Sequence, residues 1–138
     1  MVERVPMMDE DIAKELRSSA GEDGRVTCSA MHGIARHLDL DPAEVGKVAT
    51  ALDIRASQCQ LGLFGHRPRG QGKGRIVRAD VQVSEELAAR IRSASVDEEL
   101  PCAVAWEIAS ELKLPRLELG NAAETLGMQI TPCQLGFF

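Results

Sequence analysis

The sequence predicts a mainly helical α+β chain built from two copies of one small unit, and three observations carry that prediction. Residues 28–64 align without a gap on residues 102–138 after a shift of 74 positions. Identical pairs include Cys28/Cys102, Ile34/Ile108, Leu38/Leu112, Glu44/Glu118, Gly46/Gly120, Leu52/Leu126 and Phe64/Phe138, and both copies close on Cys-Gln-Leu-Gly-x-Phe. In all, 14 of 37 positions match. Unrelated segments match at roughly one position in twenty, and self-similarity at this level identifies a repeated structural unit. The second observation is apolar residues at helical spacing within each copy, and the third is a change to period two after them. The copies divide the chain into residues 1–74 and 75–138.

The first helix is expected over residues 9–19, where Asp9, Glu10 and Asp11 suit the positive end of the dipole and Ile12, Ala13 and Leu16 form the inner stripe. Its counterpart is expected over 84–95, with Leu87, Ala88 and Ile91 in the same roles. The residues before it, 2–7, alternate loosely and suggest a short strand. A second helix is expected over 28–37 and again over 102–111, with Ala30, Ile34 and Leu38 matched by Val104, Ile108 and Leu112. After a short turn, Asp41-Pro42-Ala43-Glu44 opens a third helix: Asp caps, Pro is preset for the first helical position, and Glu completes a capping box. Pro115 replaces that Asp in the second copy, so this start is the weaker one. Strands are expected over 54–61 and 128–135. A third is expected where Val77, Ala79, Val81 and Val83 alternate with Arg78, Asp80 and Gln82.

Composition narrows the function classes. A repeat of about seventy residues is near the lower limit for a self-sufficient core, so the copies are expected to pack together. The core must be aliphatic, because aromatic residues make up 3% of the chain and Trp106 is the one tryptophan. A net charge of −5 argues against a bulk polyanion binder but leaves room for a local basic surface. No apolar run is long enough to span a membrane, and the acidic N-terminus does not read as a secretory signal. A cytoplasmic location is the default expectation, with four cysteines that are then thiols, redox groups or metal ligands before they are structural disulfides. No catalytic arrangement of side chains emerges, so the chain is not expected to be an enzyme.

Two helices joined by a short turn and preceded by a third form a helix-turn-helix unit. The phrase Ile34-Ala35-Arg36-His37-Leu38-Asp39-Leu40, followed by Val45, resembles that unit in bacterial transcriptional regulators. With the strand, glycine-rich basic loop and strand that follow, the first half resembles a winged helix-turn-helix domain. The chain as a whole would then be two tandem winged-helix-like repeats. The resemblance implies that the third helix lies in the major groove of double-stranded DNA and the basic loop contacts phosphate. On the third helix and just after it the candidates are Lys47, Thr50 and Arg55, and on the loop they are Arg67, Arg69, Lys73, Arg75 and Arg78. So few cations would require a homodimer to present two half-sites. The competing reading of the loop is a solvated linker. The competing reading of the whole is a protein-interaction or accessory subunit that uses the same helices for docking.

The cysteines recur in pairs, Cys28 with Cys59 and Cys102 with Cys133. Cys28 and Cys102 start the second helices, where backbone N–H groups and the dipole are expected to lower a thiol pKa. Three readings stay open: buried apolar thiols, a redox pair, or a thiolate-bound metal or iron–sulfur cluster assembled by folding. Thiol or metal response would then modulate the regulator.

Overall fold

Proline is tolerated at the first position of a helix, and α1 accordingly spans Pro6–Ser19, starting ahead of the acids that suggested Asp9. The computed structural model describes residues 6–68 and 70–138. Residues 2–5 of the expected N-terminal strand lie outside the described residues, and 6–7 are helical. The chain continues as β1 (Val26–Thr27), α2 (Cys28–Leu38), α3 (Pro42–Ala51) and β2 (Ala56–Ser57). It then runs through α4 (Glu85–Ala94), β3 (Glu99–Leu100), α5 (Cys102–Glu111), α6 (Arg116–Thr125) and β4 (Gln129–Ile130). The order α–β–α–α–β thus occurs twice, and the protein is of the mainly helical α+β class, 48% helical. None of the helices among the described residues is long and apolar enough to cross a membrane.

Caps follow the sequence. Thr27 Oγ1 accepts from Ala30 N at 3.0 Å, Asp41 Oδ1 from Ala43 N at 3.1 Å and Ser84 Oγ from Leu87 N at 3.1 Å. Such caps stabilise a helix by about 1 kcal/mol each. Pro115 offers α6 no side-chain cap bond, as its chemistry requires. The turns between the paired helices close alike. Asp39 and Lys113 take φ of 55° and 57°, and Leu40 N and Leu114 N each donate to an alanine carbonyl, of Ala35 and Ala109, at 2.8 Å.

The strands require a correction. Those expected over 54–61 and 128–135 each reduce to two residues, and they pair in parallel with β1 and β3 instead of forming hairpins. Thr27, the last residue of β1, and Pro101, directly after β3, are helix caps, which limits the length of strand available to pair. Gln58, at φ 52°, then turns the chain away from β2. The alternating stretch 77–83 forms no strand among the described residues. Its valines alternate because the segment is laid over α6, with Val77, Val81 and Val83 half-buried and Arg78, Asp80 and Gln82 exposed.

The two cores exchange their closing loops. Cys59 and Leu61 of the first half are buried among Leu87, Ile91, Leu100, Ile108 and Leu119 of the second. Leu135 of the second half is buried among Ile12, Leu16, Met31 and Val45 of the first. The exchange brings backbone against backbone at two helix-internal glycines. A Cβ on Gly46 would lie 1.7 Å from the Leu135 carbonyl oxygen, and one on Gly120 would lie 1.9 Å from that of Leu61. Neither half can therefore complete its core from its own sequence alone. The expectation that the copies pack together is met by interpenetration.

His32 and Trp106, which occupy equivalent positions in α2 and α5, meet where the halves join, with ring centroids 4.4 Å apart. His32 is 6% exposed. Burial, and then the Arg116 and Arg36 cations, lower its pKa to about 4. The unfolded chain therefore takes up a proton near pH 6.5 that the folded chain refuses until the pH falls much lower. The stability tied to neutral His32 is fully present above pH 6.5 and is lost as the pH falls toward 4. Between pH 7 and pH 5 the loss is expected to be about 2 kcal/mol. Urea unfolding at the two pH values measures it, and His32→Gln should flatten the difference.

Candidate nucleic-acid interface

The basic loop leaves the first half through the Cys59–Phe64 turn and is closed at its base by two backbone bonds. Gly65 N donates to Lys73 O at 2.8 Å and His66 N to Gly74 O at 3.2 Å. His66 Nε2 also lies 2.6 Å from the Cys59 carbonyl oxygen. Arg67 is exposed, and its carbonyl accepts a bond from Arg25 Nη2 at 2.8 Å. Lys73 is exposed. Arg69 lies outside the described residues.

The remaining two cations of the segment are committed within the chain. Arg75 Nη2 lies 2.8 Å from Glu124 Oε2, and Arg78 Nε lies 3.1 Å from Asp80 Oδ1. The Arg78 guanidinium holds the Asp80 carboxyl below the usual carboxylate range. Arg75 and Arg78 thus each carry an intramolecular carboxylate partner while both side chains stay partly exposed. Beyond Arg75 the segment rides along α6. Ile76 N donates to Gly62 O at 2.9 Å, Arg78 N to Asn121 Oδ1 at 2.8 Å and Val81 N to Thr125 Oγ1 at 3.3 Å. A polar side chain at each of two positions one turn apart thus reads an extended backbone. The outward face of α6 is occupied, and Arg116 at its start is turned inward, its guanidinium 3.6 Å from the Trp106 ring centroid and bonded to Gln60.

On α3, among the described residues, no segment equivalent to 76–81 is bonded to the positions matching Asn121 and Thr125. A Cβ added to Gly62 would strike Leu117, Val77 and Ile76, whereas one on its counterpart Gly136 meets nothing within 4 Å. Lys47 stands where α6 has Asn121, and Thr50 where it has Glu124, so these two positions are more positive on α3 by two charges. Lys47, Thr50 and Arg55 are all exposed. Among the described residues Lys47, Arg55 and Lys73 make no ion pair or side-chain hydrogen bond.

Beside this face a cleft of about 1210 Å³ opens, and Thr50, Arg55, Lys73 and Arg75 all line it. Four of the eight residues expected at a nucleic-acid site therefore converge on one concavity, while Lys47, Arg67 and Arg78 fall outside its lining. Arg25, which the sequence did not mark, supplies a further cation to the cleft wall. Its counterpart is Glu99, so neither repetition nor motif singled it out.

The cysteines gather where the halves meet. All four are free thiols, with Cys28, Cys59 and Cys102 buried and Cys133 half-buried. The expected lowering of thiol pKa at the helix starts is overturned. Burial, reinforced by the neighbouring thiols, pushes Cys28 up to about 12, and burial likewise raises Cys102. A bond from Gln134 Nε2 to Cys102 Sγ at 3.4 Å acts in the opposite direction without prevailing. Desolvation of the thiolate outweighs the helix dipole at both sites. Among the described residues no group of three or more His, Cys, Asp or Glu side chains is arranged to hold a metal ion.

No protein family, curated protein or solved structure matches the chain.

Proposed function

We propose that the protein is a cytoplasmic DNA-binding regulator made of two tandem winged-helix-like repeats, only the first of which faces the duplex. The observation that carries this reading is the asymmetry between α3 and α6. A pair of helices joined by a short turn occurs twice, yet residues 76–81 are laid over α6, while on α3, among the described residues, Lys47 makes no side-chain bond and stands where α6 has Asn121 bonded to that segment. Lys47 and Thr50 would face the major groove, and Arg55 and Lys73 would meet the flanking phosphates. A single such face is half a site, so a homodimer would supply the second.

A second reading has its own support. Because α6 already seats an extended segment of this chain, helix-turn-helix faces here also suit peptide docking, and an accessory subunit would use α3 in that way. A titration of fluorescein-labelled duplex with the protein separates the two. Neutralising about four phosphates makes affinity fall roughly 100-fold between 50 and 200 mM salt. A salt-insensitive affinity, or none at low salt, overturns the DNA reading.

A further inference from the structure

We infer that the cleft between the two halves binds a nucleoside phosphate, a site independent of the duplex reading although it shares Arg55 and Lys73 with it. The charge of the cleft favours an anion. Of its charged lining residues Arg75 is paired with Glu124 and Arg25 with Asp23, which leaves Arg55 and Lys73 against Asp53, a balance of one positive charge. This is a positive concavity on a chain of net charge −5. Arg25 is held by Asp23 and by the Arg67 carbonyl, so it serves as a fixed wall. Arg55 and Lys73, exposed and without an ion-pair partner among the described residues, are the cations that can meet phosphate oxygens.

The cleft is also lined by Phe64, Phe137 and Phe138, in a chain whose aromatic residues make up 3% of the sequence. Phe64 and Phe138 meet edge to face, with ring centroids 5.8 Å apart, and Phe138 stays 43% exposed instead of completing either core. Met128 lines the cleft as well, and a thioether suits contact with ring edges. An exposed ring beside unpaired cations fits a ligand that carries a planar base at one end and phosphate at the other. Base–aromatic stacking contributes about 1–3 kcal/mol per base. The cleft, at about 1210 Å³, is larger than the usual 300–1,000 Å³ of small-molecule pockets and has room for a ligand of nucleotide size. On the phosphate side, Gly70 and Gly72 have nothing within 4 Å of where a side chain would stand, so a ligand oxygen can approach the backbone there.

Isothermal titration of the intact protein with ADP tests this. A dissociation constant in the region of 100 μM is expected, corresponding to roughly −5.5 kcal/mol. Lys73→Ala should weaken binding about fivefold or more, in line with one lost charge-assisted contact. Phe138→Leu, which keeps the apolar volume but removes the ring, should weaken it about threefold or more. Adenosine alone and inorganic pyrophosphate alone should each bind less tightly than ADP. No saturable heat with ADP up to about ten times that constant overturns the site. Pyrophosphate binding as tightly as ADP, or either variant binding like the wild type, overturns the nucleoside assignment.

Discussion

Replacing Gly120 with alanine is expected to destabilise the protein by roughly 3 kcal/mol or more, although the same change in an ordinary helix interior stabilises by up to about 1 kcal/mol. The added Cβ would stand 1.9 Å from the Leu61 carbonyl oxygen and 2.9 Å from its carbonyl carbon. Both are backbone atoms, so no rotamer change relieves the clash. The Cys-Gln-Leu-Gly loop of the first half must instead lift off α6, and Leu61 leaves the core it shares with Leu87, Ile91 and Leu119. Gly46→Ala should behave alike, because Leu135 presents its carbonyl to α3 in the reciprocal arrangement. Gly33 serves as the control: it is also inside a helix, but an added Cβ would meet only the end of the Arg36 side chain at 3.8 Å. Gly33→Ala should be neutral or mildly stabilising. With urea m-values of about 1–3 kcal/mol/M, the Gly120 and Gly46 variants should lose about 1 M or more in unfolding midpoint. Wild-type midpoints for both would mean that the halves are not interlocked.

The helices were readable in the sequence because each depends on local signals. The stripe of Ile34 and Leu38, the Asp41-Pro42 start and the Ser84 cap all act within a few residues, and repetition displayed most of them twice. The identity of Gly46 with Gly120, within helices of otherwise good helix formers, was also visible. What it signified was not, because the close approach comes from a loop far away in sequence, 59 residues from Gly120 and 89 from Gly46. The alternation of Val77, Ala79, Val81 and Val83 predicted a strand that does not form, although three of the four, the valines, are half-buried as the alternation implied. It carried no information on whether the partner was a second strand or a helix, and Asn121 and Thr125 supplied the answer through bonds that no local rule anticipates.

The candidate site divides along the same line. Thr50, Arg55, Lys73 and Arg75 could be named from residue type and position. That Arg75 would be consumed by Glu124 depended on tertiary placement, as did the contribution of Arg25. The thiols illustrate a conflict of effects. Position at a helix start was legible and argues for a low pKa, but burial was not, and burial decides the sign at Cys28 and Cys102.

If Lys47 on α3, with Arg55 and Lys73, is what meets DNA, the combined change Lys47→Ala, Arg55→Ala and Lys73→Ala should weaken duplex binding on the order of 30-fold. Three exposed charge contacts at under 1 kcal/mol each give that magnitude. The slope of log affinity against log salt should fall by about 3. Arg78→Ala, which removes a cation already paired with Asp80, should change affinity by less than about twofold. The decisive measurement is duplex affinity across a salt series for these two proteins beside the wild type. A large loss confined to the triple variant is the result the account predicts. Unchanged binding in the triple variant, or a loss that instead follows Arg78, would contradict it.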